Sequence, residues 1–414
     1  MGRKTTMRFA RIIGCLAGLL LGTLGAAAQT DTLRLTHSVS GKVQDAFSGQ
    51  ALPAVNIVVP GKHYATVSNA DGVFVIKSDV PIRELVFSHL GYKSLRMAVS
   101  REEVTARLTP DKYLLDPSSI VSGDPLEIVK SAIISIRKNY SQQPELLQGF
   151  YRETLQKRNR YISVTEAVSR IYKSPYAFST SHDRTALDKS RIIVSQRRRD
   201  TLSVKMMGGP ALALTADVVK EYPFLFSDIN DGLYSLSMGH PEYIGDRLQF
   251  VINIHPAIVA PYPLFDGTLY IDRETLAFSR IELHMDMSDP SKAARQMIIR
   301  KPVGLRFVPR ELSYVISYRP SESISRMAYF RATMAFDCDW KKRGVNTSYT
   351  LVNETVITDV LQPALPIARG EQFRTTDILI DKAALFTDPA FWEDYNIIAP
   401  TESLEHAVGR LRKK

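Results

Sequence analysis

Apolar and polar residues alternate with a period of two along most of the chain, a pattern typical of β-strands with one covered face. In residues 33–115 the apolar runs are short and recur about every ten residues, with turn-forming residues between them. Because no helical pattern separates these runs, we predict an all-β sandwich over this segment. The predicted strands are Leu35 to Val43, Val55 to Val59, Val73 to Ile76, Leu85 to Phe87 and a final run ending at Val99.

Residues 146–385 carry the same alternation in longer strands. One example is the set Leu248, Phe250, Ile252 and Ile254, which alternates with Arg247, Gln249, Val251 and Asn253. Another is the segment 266–285, which predicts a hairpin with a short polar turn. This alternation indicates an antiparallel sheet with one covered face and one wetter face. A parallel α/β sheet is disfavoured, because it would need helical patterns between the strands.

The segment 116–145 predicts a polar linker and one amphipathic helix. Asp124 is a candidate N-cap, Pro125 suits the first helical position, and Glu127 lies three residues after the cap. An apolar stripe at helical spacing follows, formed by Leu126, Val129, Ile133 and Ile136. Such a stripe is what docking on the next domain requires. Binding to a partner protein is the alternative interpretation.

Residues 386–414 predict a tail that ends in a helix. Thr401 is a candidate cap, and Glu402 lies in the first turn, where a negative charge is favourable. The predicted apolar stripe of this helix is Leu404, Ala407, Val408 and Leu411.

The first 28 residues predict a cleaved secretory signal. A basic segment, residues 1–11, precedes an apolar run from Ile12 to Leu24, and Ala26 to Ala28 supply the small residues of a cleavage site. We expect cleavage after Ala28 and export to the periplasm or the outer membrane. A membrane anchor is the alternative, although an apolar run of about 17 residues is at the lower limit for crossing a bilayer. Cys15 lies too early in the run for lipid attachment.

Composition narrows the function classes. The 414 residues carry a formal charge of +10, but four bases and no acid lie in the predicted signal. The rest of the chain, with 49 basic and 43 acidic residues, is mildly basic and predicts no nucleic-acid binding. The two cysteines, Cys15 and Cys338, exclude a disulfide scaffold and a multi-cysteine zinc site.

Four segments of the first module occur in an order and spacing similar to a known family. They are residues 40–43, residues 49–57, residues 68–74 with the turn pair Asp71-Gly72, and residues 87–92. The module resembles the carboxypeptidase-regulatory-like domain, whose fold is a transthyretin-like β-sandwich. The resemblance implies a module that accompanies other domains in envelope proteins and is not itself a peptidase.

Two further resemblances concern the rest of the chain. The hairpin at 266–275 resembles those in the curved half-barrel sheets of periplasmic lipoprotein carriers. That likeness implies a sheet around an apolar cavity, able to hold an acyl chain or a peptide. The alternative is a sheet face filled by the protein's own helices and loops. The ending at 391–402 is similar to that of a group of exported proteins headed by the first module.

Catalytic motifs are absent from the sequence. No histidine begins an H-x-x-E or H-E-x-x-H zinc motif, and neither G-x-S-x-G nor a glycine-rich phosphate loop occurs. The only histidines followed by an acid two residues later are His240, with Glu242, and His284, with Asp286. Two ligands do not make a catalytic zinc site, which needs three and a water molecule. We therefore predict no catalytic residue, no metal ligand and no cofactor.

Two other features are candidates for reactivity or binding: the cysteine at position 338 and two basic clusters. Cys338 lies between Asp337 and Asp339, which would raise its thiol pKa and disfavour a nucleophile. The basic clusters 197–199 and 341–343 suit contact with anionic lipid headgroups or acidic glycans, and solvated turns are the alternative.

Three hypotheses for the function follow. The leading one is a non-enzymatic, exported envelope protein that binds a partner protein or an apolar ligand, with contact to the membrane surface as a further possibility. The second is a hydrolase whose site is assembled from distant residues such as His240, Glu242 and His284. The third is a surface protein that binds glycans through exposed tyrosine and tryptophan side chains. The predicted fold class is mainly β: a sandwich, a linker helix, a larger curved antiparallel sheet and a C-terminal helix.

Overall fold

A computed structural model gives the structure of most of the chain beyond the predicted signal. The residues that it describes are 35–111, 123–197, 200, 204–206, 209–321, 324–340, 345–374, 377, 379, 384–385, 392 and 394–412. They lie in one compact unit, Arg34–Lys414. The predicted signal peptide, residues 1–28, lies outside the described residues, and the domain boundaries stay predictions. None of the described helices is both long and apolar enough to span a membrane.

Two small sheets form the N-terminal part. The first has the order β4-β1-β7, with β1 and β7 parallel, and the second has the order β3-β2-β5-β6. Their bounds are β1 His37–Asp45, β2 Asn56–Val58, β3 Ala65–Val67, β4 Val73–Ser78, β5 Glu84–Ser88, β6 Leu95–Ala98 and β7 Glu103–Leu108. The predicted sandwich is confirmed, and it includes two strands, β3 and β7, that the pattern did not indicate.

Apolar residues from both small sheets meet in one core. Phe74 of β4 and Phe87 of β5 are fully buried, with ring centroids 5.6 Å apart. The turn before β4 depends on Gly72, whose φ is +74° and where a Cβ atom would lie 2.4 Å from the carbonyl oxygen of Val43. Only glycine fits both conditions, so the turn begins β4 at a fixed register.

The second part is one large, curved sheet of 13 strands. Its order is β12-β14-β15-β16-β18-β19-β20-β8-β9-β10-β21, and β13 pairs with β14 and β22 with β10. All of these pairs are antiparallel except β10 with β22. The bounds are β8 Glu145–Lys157, β9 Arg160–Lys173, β10 Arg184–Val194, β12 Tyr234–Met238, β13 Glu242–Ile244, β14 Arg247–Pro256, β15 Phe265–Asp272, β16 Phe278–Met285, β18 Leu305–Ser321, β19 Ile324–Trp340, β20 Val345–Leu361, β21 Gln372–Phe373 and β22 Ala384–Leu385. A separate pair joins β11 Lys205–Met206 to β17 Ile298–Arg300.

Six α-helices and one 3-10 helix complete the described fold. They are α1 Pro125–Ile134, α2 Ile136–Asn139, α3 Leu212–Thr215, α4 Tyr222–Asn230, α5 Pro290–Met297 and α6 Glu402–Arg412, with the 3-10 helix at Thr180–His182. The pattern analysis did not predict α3, α4 or α5. The predictions of a mainly β fold, a linker helix and a C-terminal helix are confirmed.

The first two helices, α4 and α5 cover one side of the large sheet, which we call the inner face. The inner-face side chains of the sheet include Ile252, Leu269, Ile281, Ile316, Phe330 and Met334, all at most 1% exposed. Val129 of α1, Phe226 of α4 and Met297 of α5 belong to the same buried cluster. The rings of Phe226 and Phe278 stack at 4.9 Å. The chain therefore fills the inner face with its own side chains.

The α1 helix begins as the sequence predicts. The Asp124 carboxylate accepts a hydrogen bond from the backbone N–H of Leu126 at 2.9 Å, and Pro125 occupies the first turn. Val129 and Ile136 are buried, and Leu126 and Ile133 pack partly buried against the same cluster. The predicted stripe therefore docks on the inner face of the sheet.

Two buried ion pairs attach the segment around α3 to the sheet. Lys173 of β9 pairs with Asp217, and Lys220 pairs with Asp183. Asp217 also accepts hydrogen bonds from the hydroxyls of Tyr318 at 2.6 Å and Tyr176 at 3.0 Å. Burial raises the pKa of Asp217, but Lys173 and the two hydroxyls outweigh it and hold the pKa below its ordinary value. The carboxylate thus stays ionised inside the protein.

The opposite side of the sheet, the outer face, faces the sandwich and the tail. Asn396 of the tail pairs with the backbone of Lys77 in β4: its Oδ1 accepts from the N–H at 2.6 Å, and its Nδ2 donates to the carbonyl at 3.0 Å. Arg152 of β8 donates to the carbonyl oxygens of Ile398 at 2.7 Å and Ala399 at 3.2 Å. The tail therefore binds the sandwich on one side and the sheet on the other.

A row of charges on the outer face supports the tail. Arg152, Glu166 and Arg191 lie opposite one another on β8, β9 and β10. Both arginines donate to the Glu166 carboxylate, Arg152 at 2.7 Å. Burial raises the pKa of Glu166, but the two guanidinium groups outweigh it and hold the pKa below its ordinary value. Because Glu166 neutralises Arg152, this side chain can hold the tail in a buried position.

The Asn396 amide is expected to stabilise the contact between sandwich and sheet. We expect Asn396→Ala to lower the free energy of unfolding by about 2 kcal/mol, since two hydrogen bonds to the Lys77 backbone are lost. Urea unfolding followed by circular dichroism measures the change. The matched control is Asn346→Ala, at an exposed position of β20. An equal loss in the two variants would contradict the bridging role of Asn396.

Acid is expected to weaken the row around Glu166. Its folded-state pKa lies below the ordinary value of 4.5, so the stabilisation is complete above that pH and is lost as the pH falls below it. We expect Glu166→Gln to lower the free energy of unfolding by about 3–5 kcal/mol near neutral pH, because the two arginines lose their counter-charge. Urea unfolding at a series of pH values measures both effects. Glu371→Gln, at an exposed ion pair, is the control, and a comparable loss there would contradict the prediction.

Candidate functional site

Cavities of useful size lie outside the filled inner face. One of about 330 Å³ lies beside α6, and another of about 360 Å³ lies beside the 3-10 helix. A third, of about 300 Å³, lies between the sandwich and the outer face of the large sheet. We call this third cavity the cleft. It combines a defined volume with buried polar groups, which makes it the candidate site.

Strand alternation builds the two walls of the cleft. In β2 and β5, the residues Ile57 and Phe87 point into the sandwich core, and their neighbours point the other way. These neighbours, Asn56, Val58, Val86 and Ser88, form one wall. The opposite wall comes from the outer face and includes Gln249, Asp272, Arg280, Ser317 and Arg319. The wetter face predicted from the sequence is therefore partly covered by the sandwich.

A backbone contact closes one end of the cleft. Leu90 and Ile244 form an isolated antiparallel bridge, and the N–H of Gly91 donates to the carbonyl of Tyr243 at 2.8 Å. Gly245 follows at φ +62°, where a Cβ atom would lie 2.7 Å from the Ser94 hydroxyl. This contact fixes the sandwich against β13 and keeps the cleft walls at a constant spacing.

Three arginines line the cleft, and two of them have acidic partners. Arg247 lies 3.0 Å from the Asp272 carboxylate, and Arg280 donates to Glu282 at 2.5 Å. Arg319 donates to the amide oxygen of Asn56 at 2.8 Å and forms no ion pair with a described acidic residue. Of the three arginines, Arg319 is therefore the one without an ion pair among the described residues.

A second arginine lies directly opposite Arg319. Arg326 of β19 is its partner in the strand register, and its Nε donates to Glu145 at 2.7 Å. Burial, together with the charge of Arg326, lowers the pKa of Arg319 to about 10. Burial and the neighbouring positive charge both make the charged form of Arg319 less favourable than it is in water.

Neutral polar groups complete the lining. Gln249 is fully buried; its Nε2 donates to the carbonyl of Arg247 at 2.8 Å, while its Oε1 has no hydrogen-bond partner among the described residues. His89 lines the same cavity, and burial together with nearby Arg280 lowers its pKa to about 4. His89 is therefore neutral near physiological pH and adds no charge to the cleft.

The histidines proposed for a hydrolase do not form a site. His240 and His284 are exposed, and Glu242 lies at the edge strand β13 beside Gln249. Among the described residues, no group of three histidine, cysteine or acidic side chains is placed to hold a metal ion. His284 instead lies opposite Asp266 of β15, whose carboxylate contacts His255 at 2.8 Å.

Other sequence candidates have structural positions or lie outside the description. Cys338 is buried, and burial together with Asp337 raises its pKa to about 12, the direction that the sequence predicted. Trp392 is buried against Phe150, with ring centroids 5.6 Å apart, so it is not an exposed glycan contact. In the basic clusters, residues 198–199 and 341–343 lie outside the described residues.

Comparison with known proteins identifies the first module. Residues 39–118 match the family model of the CarboxypepD_reg-like domain. This part of the chain is similar to the CarboxypepD_reg-like domain. The match confirms the resemblance predicted from residues 40–92, and it assigns one wall of the cleft to the CarboxypepD_reg-like domain. No curated protein matches the chain.

Solved structures resemble the chain at low sequence identity. A domain described as an outer membrane lipoprotein-sorting protein, from Vibrio parahaemolyticus, is 11% identical, with 58% of this chain and 93% of that chain covered and a TM-score of 0.26. A LolA superfamily protein from Nitrosomonas europaea is 12% identical, with 59% and 96% covered and a TM-score of 0.21. MucB from Pseudomonas aeruginosa, solved in complex with MucA, is 12% identical, with 58% and 95% covered and a TM-score of 0.19.

The low pKa of His89 gives a direct test of the cleft environment. Because the folded state favours the neutral ring, we expect His89 to stay neutral from about pH 8 to pH 5 in histidine-selective NMR spectra. Its contribution to stability is complete above the ordinary value of 6.5 and is lost as the pH falls toward about 4. Arg280→Gln should raise the pKa of His89, since a positive charge is removed. Titration of His89 at its ordinary value would contradict its burial beside Arg280 in the cleft.

Proposed function

We propose that the protein is a non-enzymatic, exported protein of the cell envelope that binds a partner protein at the cleft. This proposal rests on the difference between the two faces of the large sheet. The inner face is filled by α1, α4 and α5, whereas the outer face and the CarboxypepD_reg-like domain enclose a polar cleft of about 300 Å³. A binding function therefore belongs to the outer side.

The filled inner face argues against carriage of an apolar ligand. An acyl chain would need to displace Phe226 and Met297, which are at most 2% exposed, from contact with the sheet. The ion pairs of Asp217 and Lys220 hold the neighbouring segment, so the cover is attached at two buried points. Opening it would expose uncompensated charges, which is costly.

The described chemistry supports binding rather than hydrolysis. His240, Glu242 and His284 are not gathered into a metal-binding group, and the Cys338 thiol is buried with a raised pKa. The cleft contains hydrogen-bond donors and acceptors, and its His89 is neutral. Among the described residues, His89 is not arranged with a nucleophile and an acid as catalysis would need. Such a lining suits recognition. Location in the periplasm or at the outer membrane is part of the proposal and depends on the predicted signal at residues 1–28.

A photo-crosslinking amino acid placed in the cleft tests the proposal. With the probe at Ser94, which lines the cleft, we expect one discrete crosslinked protein in intact cells of the source organism. The control is the same probe at Thr105, an exposed position of β7. Crosslinks of equal pattern at both positions, or none at Ser94, would contradict partner binding at the cleft.

Lipid analysis separates the two kinds of ligand. We expect the protein purified from its own envelope to carry lipid well below one molecule per chain, because its inner face is filled. Stoichiometric lipid in mass spectra of the native protein would favour carriage of an apolar ligand instead.

A further inference from the structure

Arg319 presents unused hydrogen-bond donors to the cleft. A guanidinium group has five N–H donors in a planar fork that matches a carboxylate. Among the described residues, the Arg319 side chain forms one hydrogen bond, to Asn56 at 2.8 Å. The group is half-buried, so water satisfies it less well than it would on an open surface. The fork is therefore available to an anion that enters the cleft.

The neighbouring Arg326 adds a second positive charge beside Arg319, which further favours binding of an anion. Its Nη1 is buried and has no hydrogen-bond partner among the described residues, although its Nε donates to Glu145. Two guanidinium groups thus lie opposite each other on β18 and β19, and the Glu145 carboxylate contacts Arg326. Like charges at directly opposite strand positions are destabilising unless a counter-charge is supplied.

Gln249 requires a hydrogen-bond donor from the ligand, whereas Arg319 requires an acceptor. Its Oε1 is a buried acceptor without a partner among the described residues, and it lines the same cleft. An unpaired buried acceptor is unfavourable, so a ligand that donates a hydrogen bond here binds more tightly. The amide orientation is fixed, because Nε2 already donates to the carbonyl of Arg247.

The unused donors of Arg319 and the unpaired acceptor of Gln249 together restrict the chemical class of the ligand. Phosphate, in its charged form, suits Arg319 but offers few donors to Gln249 Oε1. A peptide offers both groups, since a carboxylate accepts from the guanidinium and a backbone N–H donates to the amide oxygen. A volume of about 300 Å³ is at the lower end for ligand pockets and suits a few residues of extended chain rather than a folded domain.

We propose that the cleft binds a carboxylate-bearing peptide segment, with the carboxylate on Arg319 and a backbone N–H on Gln249. This inference rests on the proposed function, because it names the chemistry of the partner at the same site. The carboxylate has two sources, a chain end or an acidic side chain, and the experiment below separates them.

Peptide titration of the full-length protein tests the proposal. The probes are acetyl-trialanine with a free carboxylate, the same peptide as its amide, acetyl-Ala-Asp-Ala amide, and inorganic phosphate. NMR signals of the arginine Nε–H groups report binding at Arg319 and give the Kd of each probe. We expect at least one carboxylate peptide to bind ten or more times more tightly than the trialanine amide. The free-acid peptide and the aspartate peptide identify a chain end and a side chain, respectively.

Variants assign the contacts. Arg319→Gln should raise the Kd of the carboxylate peptide at least tenfold, and Arg319→Lys should raise it less, because the charge stays and the fork is lost. Gln249→Leu should raise the Kd of the peptide severalfold without changing that of phosphate. Arg107→Gln, at an exposed position of β7, is the matched control and should change neither. Circular dichroism checks that each variant is folded, and Arg319→Lys keeps the test valid if Arg319→Gln does not fold.

Several results would overturn the inference. Equal binding of the acid and amide peptides, or an unchanged Kd in both Arg319 variants, would exclude a carboxylate site. Phosphate that binds as tightly as the peptides would indicate a simple anion site. If these probes fail while the crosslink at Ser94 persists, the partner-binding function stands and its carboxylate chemistry is wrong. If the peptides bind and no crosslink forms at Ser94, the proposed partner protein is wrong instead.

Discussion

The backbone of residues 396–400 is the element on which the rest of the architecture depends, because it bonds to both modules at once. Asn396 reproduces the pairing of a neighbouring strand along Lys77, and Arg152 binds the next carbonyl groups from the side of the sheet. Neither module could place its wall of the cleft without this shared segment and the Leu90–Ile244 bridge. A hydrogen-bonded backbone sets distances more sharply than apolar contact does, since its geometry is directional. The tail and the Leu90–Ile244 bridge therefore both hold the sandwich against the sheet.

The inner face shows how burial of charge decides where a ligand is able to bind. Asp217 is fully buried with Lys173, Tyr176 and Tyr318 around it, and Lys220 is fully buried against Asp183. Each pair loses hydration on folding, so it adds little net stability, yet separating the partners is expensive. The segment between β11 and α4 is consequently fixed in one place over the sheet. The outer face lacks such a cover outside the tail and the sandwich, which leaves the cleft as the accessible polar space.

Local patterns predicted the elements that depend on local rules. The Asp124 cap, the glycine at position 72 and the period-two strands all follow from neighbours in sequence, and the structure confirms them. The helices α3 and α4 were missed because the segment 209–230 is apolar on several sides, as expected for helices enclosed between a sheet and other helices, and shows no single stripe. The cleft was missed for another reason. Arg280 and Arg319 occupy polar positions of alternating strands, and this pattern marks the wetter face of the sheet. The sequence does not tell which of these positions the sandwich covers, because that depends on contacts between residues hundreds of positions apart.

The interface between the sandwich and the sheet contains two kinds of polar environment, and the contrast between them bears on function. On the tail side, Asn69 and Asn396 use both ends of their amides in hydrogen bonds to backbone groups. On the cleft side, a few strands away, Gln249 Oε1 is unpaired among the described residues and Arg319 has a neutral partner alone. An interface that served only to join two modules would gain from satisfying both sides equally, because buried polar groups are almost always paired. At the cleft, the groups that lack partners are a donor set and an acceptor that one extended peptide can satisfy together.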